Sequence, residues 1–133
     1  NLFPSIMKVL KGQEKKLYVY GNNWPTKDGT CVRDFIHVMD LAEAHISAYK
    51  YLLSNAPQIV SLNIGTGHGN TIMDVINVFN EKSIENLSYE FVEKRSGDEP
   101  YVVADNSLAL NLLDWTPNRN LSDMCTDSIN SNL

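Results

Sequence analysis

The spacing of apolar residues switches back and forth between two periods along this chain, and that switching limits the folds open to it. Pro4 stands where a first helical turn would begin, Ile6, Val9 and Leu10 recur at helical spacing, and Gly12 closes the segment. Leu17-Tyr18-Val19-Tyr20 reads as a short strand of aromatic and β-branched residues. No apolar period survives from Gly21 to Cys31, where Asn22, Asn23, Pro25, Asp28 and Gly29 make an irregular loop of a length that is often functional. Asp34 to Val38 reads as a second extended segment. Asp40 and Glu43 give a D-x-x-E variant of the capping box ahead of a helix striped by Leu41, Ala44, Ala48 and Leu52. Ile46, Tyr49 and Leu53 widen the stripe, which predicts packing on more than one neighbour.

The pattern continues in the second half. Ile59 to Ile64 is predicted as a third strand, followed by Gly65-Thr66-Gly67-His68-Gly69. Thr71 and Asp74 then suggest a cap for a helix carrying Ile72, Val75, Ile76 and Phe79 on one face. Leu87 to Val92 is a fourth strand, ended by the polar loop Lys94 to Pro100. A short helix over Ser107 to Leu113 and another after Leu121 complete the order. Strands alternating with helices make the class α/β. Four strands scattered in this way form a small sheet with open edges, which predicts partner strands beyond these four.

Composition excludes several functions. With 16 acidic against 11 basic residues the net charge is −5, which argues against nucleic acid as a partner, since that depends on clustered Lys and Arg. No apolar run approaches a membrane span. A length of 133 residues suits one domain or a piece of one. The start Asn1-Leu2-Phe3, without Met or a basic n-region, reads as a cut or partial end and not a signal peptide. Cys31 and Cys125 are far apart and form no CxxC pair, so two buried thiols in a reducing cytosol are expected, with no metal site. The sequons at Asn86 and Asn120 read as chance matches without a secretory signal.

Chemistry-bearing groups are few. Of three arginines, Arg33 and Arg95 sit in loops beside Gly and Asp, and a guanidinium fork matches phosphate oxygens two at a time. Two readings stay open: a local anion site, or surface Arg–Asp pairs contributing about 0–1 kcal/mol. Gly65 to Asn70 has the context of a phosphate cradle, but its third Gly falls at offset four, so a plain turn using Gly for positive φ accounts for it better. His37 alternates with apolar neighbours and His45 lies by the helix stripe, both fitting packed imidazoles better than general bases; His68 reads as a solvent-facing loop residue. No HExxH, GxSxG or P-loop lysine occurs, and no Tyr is followed four residues on by Lys. Ligand binding without a catalytic engine is what these residues alone support.

Longer blocks carry a resemblance. Asn1-Leu2-Phe3-Pro4, Tyr20-Gly21-Asn22, Pro25 to Thr30, Val32 to Ala42, Leu62 to Gly65 and Arg95-Ser96-Gly97-Asp98 resemble, in order, the C-terminal part of the UDP-glucose 4-epimerases. These are extended short-chain dehydrogenase/reductase enzymes. The resemblance implies a Rossmann enzyme whose N-terminal portion, absent here, holds NAD and a catalytic Tyr and Lys. It implies that residues 1–133 are the segment that grips a UDP-sugar. NAD-mediated oxidation at C4 and return of hydride to the other face would then interconvert UDP-glucose and UDP-galactose. A cytoplasmic homodimer is implied for the complete enzyme, and inactivity for this segment alone. The Leu62-Asn63-Ile64 stretch resembles a strand at the edge of the Rossmann sheet.

Carried across by position, Asn1 resembles a residue contacting the diphosphate region, and Tyr18 and Tyr20 lie on the strand whose backbone reads the uracil edge. Arg33 and Arg95 match two arginines on the diphosphate, and Asp98 a carboxylate holding a ribose hydroxyl. Val102 stands where the family often has Tyr, or a smaller residue, lining the sugar pocket. The small side chain resembles members that also accept N-acetylated UDP-hexoses. Cys31 replaces a usual Gly. Alternatives are a UDP-N-acetylhexosamine 4-epimerase, a UDP-glucuronate decarboxylase, or a non-catalytic module with Gly65 to Asn70 cradling a phosphate ligand.

Overall fold

Helix-forming and strand-forming stretches fall largely where the periods put them. The computed structural model describes residues 1–131. Its first half holds α1 (Leu2–Leu10), β1 (Leu17–Tyr20), β2 (Val32–Arg33) and α2 (Val38–Ser54). Then come β3 (Asn70–Thr71), α3 (Ile72–Lys82), β4 (Tyr89–Val92), β5 (Tyr101–Val102), α4 (Ser107–Leu113) and α5 (Leu121–Asn130). The class is α/β, as expected.

The strands form two small sheets. β1 pairs with β4 in parallel, Leu17 opposite Tyr89 through Tyr20 opposite Val92. β2 lies between β3, antiparallel, and β5, parallel. Burial alternates along β1: Leu17 and Val19 enter the core while Tyr18 is half exposed. That core joins Ile6 of α1, Val75, Ile76 and Phe79 of α3, Leu87 and Cys125 of α5. Ile76 and Phe79 are fully shielded, and burying one such side chain stabilises by about 1.5–3 kcal/mol. Phe3 meets Phe35 at a tilt and Phe79 edge-to-face, at 5.8 and 5.4 Å between centroids. A second cluster holds Ala44 of α2 against Ala109, Leu113 and Trp115.

Three local features differ from expectation. Residues 34–37 form no strand; the ladder is confined to Val32–Arg33, and His37 caps α2 by accepting the Met39 amide on Nδ1 at 3.1 Å. Asp40 is therefore inside the first turn and fully buried, not a cap. Ile59 to Ile64 is no strand either: no ladder partner reaches it among the described residues, and Ile59 is fully exposed. Likewise α2 packs through Ala44, while Ile46, Tyr49, Leu52 and Leu53 stay exposed. By contrast, Thr71 and Asp74 make the expected reciprocal capping box of α3.

Candidate functional site

A hollow of about 460 Å³ opens between the start of α1, the strand β1, and the loops carrying Arg33 and Arg95. Asn1, Tyr18, Tyr20, Arg33, Arg95 and Asp98 all line it. Parallel pairing explains the convergence. β1 and β4 run the same way, so Tyr20 and the segment after Val92 leave the sheet at one end, side by side. β2 adds Arg33 from the second sheet.

Each charged group is held differently. Arg33 donates from Nη1 to the carbonyls of Val32 and Glu99, both at 2.8 Å, which fixes the plane of its guanidinium. Its Nη2 lies 3.8 Å from Asp98 Oδ1, a loose ion pair at the limit of contact. Arg95 is exposed and lies flat on Tyr20, its guanidinium carbon 3.5 Å from the ring centroid. Stacking occupies the face of the guanidinium and leaves its edge donors available. Lys16, at the rim, is engaged in an ion pair with Glu90 that raises its pKa, chiefly through the hydrogen bond. The hollow thus offers two guanidinium groups, with the Asp98 carboxylate beside Arg33 and with Lys8, Lys16 and Glu14 also on its lining. That array suits a doubly charged anion bearing a hydroxyl nearby.

Val102 is placed elsewhere. It sits opposite Arg33 in the β2–β5 register, half exposed, and faces an adjoining shallow hollow with Leu62, Ile64 and Val103. The structure therefore brings six of the seven expected residues together and sets the seventh behind Arg33.

The glycine loop is not a phosphate cradle. Its amides point at Asp34: Thr66 N and Oγ1 donate to Oδ1 at 2.9 and 2.5 Å, and Gly67 N donates to Oδ2 at 3.0 Å. Ala104 N adds a fourth bond at 3.3 Å. A Cβ on Gly65 would sit 2.6 Å from both Ala104 Cβ and Asp34 Oδ2, so this glycine makes room for packing and not for a ligand. A carboxylate inside the turn would repel a phosphate. The loop consequently does not fit the diphosphate of a dinucleotide such as NAD, and the phosphate-module alternative loses its cradle.

Two groups escaped the sequence reading. Arg119 donates to Asp40 Oδ1 at 2.5 Å from Nη1 and to Glu43 at 3.0 Å from Nη2, and its amide reaches Asp40 Oδ2 at 3.0 Å. Burial pushes the Asp40 carboxyl up, but hydrogen bonds from the Arg119 amide and guanidinium and the Asn118 amide outweigh it and hold the carboxyl below its ordinary range. Asp28 likewise sits low despite desolvation, because the Thr71 and Thr30 hydroxyls and the Thr30 amide donate to it. A D-x-x-E spacing signals a helix start, but nothing local points to an Arg almost a domain away. Among the described residues no group of three or more His, Cys, Asp and Glu could hold a metal ion. No described helix is long and apolar enough to cross a membrane.

Residues 1–128 match the family model described as GDP-mannose 4,6 dehydratase. The chain belongs to this family. It is 41% identical over 128 residues to the UDP-glucose 4-epimerase of Bacillus subtilis (strain 168), covering 96% of this chain and 38% of that protein. Its fold superposes with TM-score 0.91 and 39% identity on the UDP-glucose-4-epimerase of Stenotrophomonas maltophila with bound NAD and formylated UDP-arabinopyranose, covering 96% of this chain and 38% of that one. The Bifidobacterium longum enzyme in complex with NAD+ and UDP gives 0.91 at 35% identity, covering 98% and 38%. The fold is thus that of an extended short-chain dehydrogenase/reductase, represented in part. This chain spans 38% of the length of each of these three relatives.

Proposed function

We propose that this chain is the UDP-sugar-holding part of an NAD-dependent UDP-glucose 4-epimerase. One observation carries the reading: Arg33 and Arg95, far apart in sequence, line one hollow together with Asp98 and with β1 along its wall. The kinship with UDP-glucose 4-epimerases supports it. In this reading the two guanidinium forks take the diphosphate, at about 1.5–3 kcal/mol per charge-assisted hydrogen bond. Asp98 leaves its loose contact with Arg33 to accept a ribose hydroxyl, and the backbone around Tyr18 and Tyr20 borders the uracil. Asn1 lies beside the diphosphate. NAD supplies the hydride chemistry of the complete enzyme. The Gly65–Asn70 turn, filled by the Asp34 carboxylate, gives NAD no diphosphate cradle here, and in this reading the chain's part is to bind and orient the sugar nucleotide.

Titration of UDP into the full-length protein tests the reading. Arg33→Ala and Arg95→Ala are each expected to weaken UDP about tenfold or more. Unchanged affinity in both variants would overturn it, as would interconversion of UDP-glucose and UDP-galactose by residues 1–133 alone with added NAD. Val102 belongs to the proposal as the wall behind Arg33, where a small side chain leaves room for an acetamido group. Comparing turnover of UDP-glucose and UDP-N-acetylglucosamine decides this, and strict exclusion of the acetylated sugar would end it.

A further inference from the structure

Tyr20 and Val92 form the last rung of the β1–β4 ladder, and the Gly21 amide closes it by donating to the Val92 carbonyl at 2.8 Å. Beyond that rung no ladder holds the two strands together. Lys94 crosses back instead. Its ammonium lies 4.1 Å from the Trp24 ring centroid and donates to the Asn23 carbonyl at 3.3 Å. Trp24 in turn donates from Nε1 to the Tyr20 carbonyl at 3.3 Å. The two side chains close over Gly21, where an added Cβ would stand 2.4 Å from Trp24 Nε1 and 2.8 Å from Lys94 Cγ. Only a residue with no side chain lets them meet.

Arg95 is the next residue, and its guanidinium rests on Tyr20. Two aromatic rings from one segment thus interleave with two consecutive cations from the other. The stretch that follows is exposed, and Gly97, at φ +85°, has open space around it. A long arginine in such a loop samples many rotamers unless its base is held. We propose that the Trp24–Lys94 clasp over Gly21 is a positioning element, which holds the base of the Arg95 loop so that the guanidinium waits on Tyr20 at the edge of the hollow. The clasp does not touch the anion; it raises affinity by removing the cost of ordering Arg95 on binding. This rests on the reading of Arg95 as a diphosphate ligand.

A double-mutant cycle on the full-length protein, with UDP titrated at fixed ionic strength, tests it. Lys94→Met keeps the stem and removes the charge; it is expected to weaken UDP about two- to fivefold with an unchanged melting temperature, and Lys94→Arg to restore the affinity. Trp24→Phe, which keeps an aromatic face for the ammonium but loses the bond to the Tyr20 carbonyl, is expected to weaken UDP less than Lys94→Met does. In an Arg95→Ala background, Lys94→Met should change nothing further. Unaltered UDP binding by Lys94→Met, or losses that multiply independently of Arg95, would overturn the clasp and leave the diphosphate reading standing. If Arg95→Ala itself costs nothing, Arg95 is no ligand of the diphosphate and the clasp falls, while the reading of the hollow then stands or falls on Arg33→Ala.

Discussion

Replacing Asp34 asks whether the Gly65–Asn70 turn is an internal brace. In the native fold one half-buried carboxylate takes the Thr66 amide and hydroxyl on one oxygen and the Gly67 and Ala104 amides on the other. Asn keeps an oxygen for the first pair but turns its NH2 toward the second, so two backbone donors face a donor. A stranded donor costs about 1–3 kcal/mol when buried, and water relieves part of that here, so Asp34→Asn should cost about 2 kcal/mol. Ala strands both pairs and should cost about 4 kcal/mol. For a chain of this size, 1 kcal/mol corresponds to roughly 3–5 °C in Tm. Urea denaturation followed by circular dichroism reads the loss as a lower midpoint at constant slope. An Asn variant within about 0.5 kcal/mol of wild type would refute the brace, since ordinary surface changes fall in that range. A second arm uses inorganic phosphate. No binding to Asp34→Asn is expected, and measurable affinity there would mean that the carboxylate had been shutting a true cradle.

Two further predictions concern titrating groups. Asp40 has a depressed carboxyl, so its contribution is present above the unfolded value near 3.9 and is lost as pH falls through the lower folded value. Asp40→Asn should therefore destabilise by about 2 kcal/mol at pH 7, and the gap to wild type should narrow below about pH 4; a gap constant from pH 7 to pH 3 would contradict this. Burial pushes the Cys125 thiol up to about 12, so iodoacetamide at pH 8 should label it only as fast as the fold opens; labelling at the rate seen in urea would refute its burial.

Most local signals in the sequence were dependable, the D-x-x-E at Asp40 excepted, where His37 takes the cap instead. The Thr71–Asp74 box, the stripe of α3 and the bounds of α4 follow from neighbours within one or two turns. Ile59 to Ile64 shows the limit. Apolar alternation reports a preference for burial, but a strand needs a partner, and none reaches it among the described residues. β2 is short for a related reason: its rungs are set by Thr71 and Tyr101, which the residues near Val32 cannot foresee. In the hollow, Arg33, Arg95 and Asp98 were legible through the family blocks. Asp34 inside the glycine turn and Lys94 on Trp24 were not, because both contacts join segments distant in the chain.

The parallel direction of β1 and β4 has a consequence for assembly. A hairpin could have joined two antiparallel strands in a few residues; here the covalent path from Tyr20 to Arg95 runs through more than half of the chain. Closing so long a crossover is entropically costly and slow, and it comes before Tyr20 and Arg95 can meet. A nascent or partly folded copy accordingly lacks the hollow. Any anion that the hollow takes would bind the completed fold alone, and by mass action would stabilise it.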